Sequence, residues 1–165
     1  RLSASEAEFR QLSNTAPVGI FRADLEGRVA YLNPRLAEIW GRAEEELLGH
    51  GWIAGVHPDD APALVAGWTA ANAAGREYEH EFRVVRGSDG REWYLHGRSA
   101  ILRDAAGRPV GTVGTVEDTT ERRRAEQVVA ASEARLRDSL AAERRARRRT
   151  ELLQELTAAF SAMLT

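Results

Sequence analysis

The sequence predicts an α+β domain, with an antiparallel sheet and its helices grouped on one face, followed by one long helix. Three observations carry this. All 14 glycines and all five prolines lie before Asp118. The 47 residues after it hold none, and Ala, Glu, Arg and Leu, strong helix formers, take over there. Residues 77–118 read as three long strands joined by tight turns, and consecutive hairpins make an antiparallel sheet. Charge divides at the same place. Residues 1–118 hold 13 Arg against 18 acidic residues, net −5, whereas residues 119–165 hold 10 Arg against 7, net +3. That is an acidic globule with a basic tail.

Each element has a local reason. Ser3-Ala-Ser-Glu6 has capping-box spacing before a short helix over Ala7–Ser13. Strand-like Val18–Asp24 and Arg28–Asn33 flank the turn Leu25-Glu26-Gly27. Pro34–Gly41 and Ala43–Leu48 read as short helices, the second stopped by Gly49. His57-Pro58-Asp59-Asp60 reads as the opening of a longer helix to about Ala74. Pro58 would occupy its first turn, and the two aspartates would face its positive N-terminus. Glu77–Arg86 alternates Tyr78, His80, Phe82 and Val84 against Glu79, Glu81, Arg83 and Val85, the period of a half-buried strand. Ser88-Asp89-Gly90 turns it into the strand Glu92–Arg103. Asp104–Gly107 turns again, into Pro109–Asp118. The helix after Asp118, if continuous, would run about 70 Å at 1.5 Å per residue.

Composition excludes several function classes. A chain of 165 residues, 43% hydrophobic, is one domain with an appendage. It has no cysteine, which excludes disulfides, cysteine nucleophiles, thiolate metal sites and cysteine-linked flavin or haem. No apolar run approaches the roughly 18 residues that span a membrane, so no membrane segment is expected. Arg1 in place of Met, with no signal peptide after it, is read as the mark of an excised fragment. All 23 basic residues are Arg. Nothing points to catalysis. Asp59 and Asp60 are placed to cap a helix, not to face a substrate as an acid/base pair. Gly87-Ser88-Asp89-Gly90 is a hairpin turn, not a phosphate-binding loop. No His lies in the long helix to accept a phosphoryl group.

Asp118-Thr119-Thr120-Glu121-Arg122 marks the passage from strand to helix. Asp118 can cap the helix, and Glu121 can reach back to the cap backbone. Taken with Asn33-Pro34 after the second strand, His57-Pro58-Asp59-Asp60 before the long mid-chain helix, Glu81-Phe82-Arg83, Asp89-Gly90 and Trp93, this junction resembles a PAS domain of the bacterial sensor type over residues 5–122. Gly114-Thr115-Val116-Glu117-Asp118-Thr119-Thr120-Glu121-Arg122 resembles the family's C-terminal Asp-Ile-Thr-Glu junction, with Thr119 in place of the usual Ile. The resemblance implies a five-stranded antiparallel sheet, helices around a small internal cavity, and signalling through flanking helices. Asp118, Thr120, Glu121 and Arg122 are then the signal junction.

The residues expected to line such a cavity are Phe21, Trp40, Trp52, Ile53, Leu64, Trp68, His80, Phe82 and Val84. Strand and helix periodicity equally accounts for them as plain core. No cofactor is required by the sequence, and none is assigned. Haem would need an axial histidine. His57 belongs to the family's loop motif and is read as structural. His80 shares parity with Phe82 and Val84 and so faces the core, while His50 and His96 fall in a loop or on the opposite face. No metal site is expected.

The long helix carries a 4-3 spacing through Ala125, Val129, Ser132, Leu136, Ser139, Glu143, Ala146, Thr150, Leu153, Thr157, Phe160 and Leu164. Seven of these twelve are apolar. This is a coiled-coil seam, weak in its middle. Arg144, Arg145, Arg147, Arg148 and Arg149 lie outside the seam and read as a solvated face, so no nucleic-acid partner is expected. From Leu152 the apolar face broadens, as at the entry to another globular body. The domain reading is therefore an N-terminal capping helix over 1–14, a sensor domain over 15–118, a coiled-coil signalling linker over 119–150, and the start of a following domain over 151–165. The expected function is a non-catalytic sensory and dimerisation module of a larger bacterial signal-transduction protein. It would be cytoplasmic and homodimeric, with a downstream GAF, phosphatase or histidine kinase domain in the same chain and a possible small-molecule ligand. Two alternatives stand beside it: a sensor using haem, non-covalent flavin or a small metabolite, and a ligand-free interaction scaffold.

Overall fold

The computed structural model describes residues 4–163. Ser3 of the expected capping box, and Leu164 and Thr165 at the end of the expected seam, lie outside the described residues. The chain divides into two compact units, Arg1–Glu121 and Arg122–Thr165.

The elements are α1 (Ala4–Thr15), β1 (Gly19–Ala23), β2 (Val29–Leu32), α2 (Pro34–Trp40), α3 (Glu44–Leu47), a 3-10 turn over Gly51–Gly55, α4 (Ala61–Ala73), β3 (Tyr78–Val85), β4 (Glu92–Arg103), β5 (Pro109–Asp118) and α5 (Thr120–Met163). The strands form one sheet in the order β2-β1-β5-β4-β3, antiparallel at every pairing. The register sets Gly114 opposite Phe21, Val116 opposite Gly97, and Leu95 opposite Phe82. This puts Phe21, Ala23, Phe82, Val84, Leu95 and Val116 on one face. There they pack with Leu36, Ile39 and Trp40 of α2, Leu47 of α3, and Leu64 and Trp68 of α4. The other face carries Arg22, Tyr31, Glu79, His96 and Arg98, and α1 meets it through Phe9, whose ring lies 5.7 Å from that of Tyr31.

Asn33, fully buried, joins four segments. Its Oδ1 accepts from the Ile20 N–H at 2.8 Å and caps α2 by accepting from the Leu36 N–H at 3.1 Å. Its Nδ2 donates to the Ser13 carbonyl at 2.7 Å and the Val18 carbonyl at 3.0 Å. The amide is thus fully satisfied inside the core, with α1, β1, β2 and α2 all held to it.

One helix starts later than its sequence suggests. Residues 58–60 form a turn, α4 begins at Ala61, and Pro62 rather than Pro58 is the proline of its first turn. Asp60 sits at the N-cap position but makes no side-chain cap bond. Arg83 has taken its carboxylate instead. The Arg83 N–H and Nε donate to Asp60 Oδ2 at 2.8 and 3.0 Å, and Nη2 donates to Oδ1 at 2.8 Å. The expected capping role of Asp59 and Asp60 is therefore replaced by a long-range tie between α4 and β3. Those hydrogen bonds from Arg83 hold the Asp60 pKa below the ordinary aspartate value, against a smaller opposing effect of burial.

Candidate ligand cavity and signalling junction

A cavity of about 70 Å³ lies between the inner face of the sheet and the helices. Seven of the residues expected from the sequence line it: Phe21, Trp40, Trp52, Leu64, Trp68, His80 and Phe82. Ile53 and Val84 do not. Ile53 sits in the 3-10 turn, where its carbonyl accepts from the Val56 N–H. Val84 is completely buried further along β3, bridged to Val56. Strand parity correctly turns Val84 inward but cannot say how far along the strand the cavity extends. Sequence reasoning left out Ala23, Val29, Leu36, Tyr78, Arg98, Ser99 and Val116, together with the glycines 27 and 97. Tyr78 shares the parity of His80 and Phe82, so the alternation of β3 already carried that signal. Nothing local marks Ser99.

The walls are largely aromatic. Trp52 and Trp68 meet edge to face, centroids 6.3 Å apart, and Trp40 tilts against Phe82 at 6.1 Å. The Tyr78 and His80 rings stack at 5.7 Å, interplanar angle 13°. Each of these three indoles spends its one donor on the protein. Trp40 Nε1 donates to the Trp52 carbonyl at 3.1 Å, Trp52 Nε1 to the Gly27 carbonyl at 3.1 Å, and Trp68 Nε1 to Ser99 Oγ at 3.2 Å. The indoles therefore offer the cavity carbon rather than N–H groups. Burial raises the Tyr78 phenol pKa above its usual value. The other histidines lie elsewhere. His50 Nε2 is 3.0 Å from the Glu26 carbonyl, His57 Nε2 is 3.2 Å from Glu92, and His96 Nε2 is 2.7 Å from Glu79.

The junction lies at the end of β5, against β4. Asp118 Oδ1 accepts from the Thr120 N–H at 2.9 Å, the Asp118 side of the expected cap. The two threonines then take hold of the Tyr94 backbone. Thr119 donates twice to the Tyr94 carbonyl, through its N–H at 2.9 Å and its hydroxyl at 3.0 Å. The Tyr94 N–H donates to Thr120 Oγ1 at 2.9 Å. Both threonines are buried. A single strand, β4, thus holds the junction at Tyr94 and lines the cavity at Gly97 and Ser99. Tyr94 was not singled out from sequence, because its part is played by its main chain.

Beyond the junction, Glu121 and Arg122 are exposed, as are the expected seam residues Ala125, Val129, Ser132, Leu136, Ser139, Ala146, Leu153 and Phe160. Among the described residues no helix is long and apolar enough to cross a membrane, and no group of His, Asp and Glu is placed to hold a metal ion.

The PAS fold profile matches residues 29–116. The two-component sensor PprA of Pseudomonas aeruginosa is 36% identical over 150 residues, covering 83% of this chain and 15% of that protein. The C4-dicarboxylate transport sensor protein DctS of Rhodobacter capsulatus is 31% identical over 137 residues, covering 81% of this chain and 20% of that protein. Among solved structures, a sensory box histidine kinase/response regulator from Burkholderia thailandensis superposes with a TM-score of 0.59 at 29% identity, covering 79% of this chain and 98% of that one. The chain spans a fifth or less of the length of these curated relatives.

Proposed function

The chain belongs to the PAS family, and on that footing we propose that it is the sensory and dimerisation module of a larger signal-transduction protein, reporting the state of its cavity through β4 to α5. One observation carries the reading: β4 lines the cavity at Gly97 and Ser99 and, three residues before Gly97, gives both backbone groups of Tyr94 to Thr119 and Thr120. A shift of this strand by a bound molecule moves the start of α5 with it. Chemistry at the cavity needs a nucleophile, a metal or an acid/base pair in reach. The walls are largely aromatic and aliphatic, with one imidazole, His80, and no carboxylate among the lining residues, and the module catalyses no reaction in this reading. The output activity belongs to another domain of the full protein, of GAF, phosphatase or histidine kinase type, and the similar histidine kinase/response regulator from Burkholderia thailandensis supports the last of these.

Exposed Val128, Val129, Leu136 and Leu140 on α5 support a homodimer through a parallel coiled coil. Signalling then consists of a change in how the two helices pack around the polar positions Ser139, Glu143 and Thr150. The absence of cysteine makes the test clean. Spin labels on Ser132→Cys and, separately, Thr150→Cys report the distance between copies. We expect the two distances to change when the cavity is occupied, and the change to vanish when Thr119 and Thr120 are both replaced by Val. Identical distances in the empty and occupied states would refute the relay.

A further inference from the structure

The size and chemistry of the cavity say what it takes. We infer that its ligand is a compact, uncharged, apolar molecule smaller than one aromatic ring; this rests on the cavity being the sensory site. Its volume, about 70 Å³, is half of the ~150 Å³ apolar cavity that admits benzene or xenon. It is far below the ~300 Å³ at which pockets for larger organic ligands begin. A flavin or a porphyrin belongs to that larger class.

The walls have no room to retreat. Phe82 lies against Gly97, where an added Cβ would stand 3.0 Å from the ring. A Cβ at Gly27 would strike the Trp68 ring, and one at Gly114 the Phe21 ring. These rings rest on bare backbone, which is how the space exists at all. Making it larger requires moving the sheet. Polarity sets the second limit. The three indole N–H groups are committed to carbonyls and to Ser99. The Arg98 guanidinium is engaged on the outer face, its Nε 3.7 Å from Glu79. Of the lining residues, His80 and Tyr78 are then the ones with an ionisable side chain toward the cavity, and a charged ligand would exchange its full hydration for little compensation.

The test uses the whole chain and four probes: xenon, benzene, flavin mononucleotide and haemin. Backbone amide NMR follows each titration. We expect saturable shifts from xenon centred on Gly97, Ser99 and Val116, and none from benzene, the flavin or haemin. Val116→Ile adds a methylene to the wall and is expected to weaken xenon binding about tenfold. Gly97→Ala, which pushes Phe82 inward, acts in the same direction and serves if the first variant fails to fold. Stoichiometric uptake of benzene, flavin or haemin by the cavity would overturn the inference and leave the sensory reading intact. Absence of saturable shifts from xenon would also overturn it, as would xenon binding indifferent to both variants. If xenon binds as expected but the Thr119 and Thr120 amides and the labelled α5 distances stay fixed, the ligand class stands and the sensory reading falls.

Discussion

The two parts of this chain are stabilised in different ways. The sheet unit buries a continuous cluster from Ala23 to Val116 and ties buried polar groups together over long range, as Asn33 to Ser13 and Trp68 to Ser99. The helix from Glu121 onward buries almost nothing of its own. Apart from Arg123 and Ala141 its described side chains are exposed, among them Val129, Leu136, Leu153 and Phe160. A single helix in water draws its stability chiefly from packing an apolar face. The comparison teaches that the first unit carries its own core, whereas the second exposes an apolar face that the proposed dimer would cover. Perturbations should therefore separate cleanly, and those of the helix should read out as association.

The largest effect expected is on that association. Val129→Ser with Leu136→Ser removes four aliphatic side chains from the proposed dimer, each contributing about 1.5–3 kcal/mol when buried. We expect dimerisation to weaken at least a thousandfold by sedimentation, while the urea midpoint of the sheet unit stays put. A shift of that midpoint would erase the contrast between the two parts.

The largest effect expected within the sheet unit is at Asn33. Asn33→Ala deletes four hydrogen bonds and leaves the Ile20 N–H and the Val18 carbonyl without their partner. Unsatisfied buried groups cost about 1–3 kcal/mol each, so a loss of about 4 kcal/mol is expected in urea unfolding, a large share of an ordinary domain's stability. Dimerisation through α5 should survive wherever the sheet unit remains folded.

How far the sequence announced this arrangement depends on the range of the interactions concerned. β4 and β5 were legible to the residue because local turns at Asp89-Gly90 and Asp104–Gly107 bound them. The inward set of β3 was legible because alternation is a property of the strand itself. The start of α4 was not, because Asp60 and Arg83 are 23 residues apart and their ion pair outcompetes the local cap that Pro58-Asp59-Asp60 imitates. The 3-10 turn at Gly51–Gly55 carries no period to read, and its tie to the core is the indole N–H of Trp52 reaching the Gly27 carbonyl. The cavity was half visible. Aromatic residues on inward faces could be named, but its length along β3, which leaves Val84 out, follows from tertiary packing alone.

The Asp60–Arg83 pair gives a milder, pH-dependent test. Arg83 lowers the Asp60 pKa in the folded state. The contribution to stability is then fully present above the unfolded aspartate value of ~3.9 and is lost as pH falls from there through the lower folded value. We expect Asp60→Asn to flatten the acid side of the stability profile of the sheet unit, with the difference from the parent chain greatest above pH ~4 and shrinking below it. The helicity of α5 should not follow. Parallel acid profiles for parent and variant would show that the ion pair adds nothing.

The smallest effect expected lies at the junction, at Thr119. Its hydroxyl donates to the Tyr94 carbonyl at 3.0 Å. Thr119→Val keeps the shape and removes only this bond. The carbonyl still accepts from the Thr119 N–H at 2.9 Å, so no buried group is orphaned and the loss should be near the ordinary net value of one hydrogen bond, about 1 kcal/mol. That is too little to move the unfolding midpoint of the sheet unit far. It is enough to let the junction open about fivefold more often, since RT is about 0.6 kcal/mol. Amide hydrogen exchange at Tyr94 and Thr120, whose N–H groups close this contact, should rise by that factor while exchange in the core strands stays unchanged. Unchanged exchange at both amides would mean that the backbone bond and the Asp118 cap suffice, and that the threonine hydroxyl is incidental to the link between β4 and the start of α5.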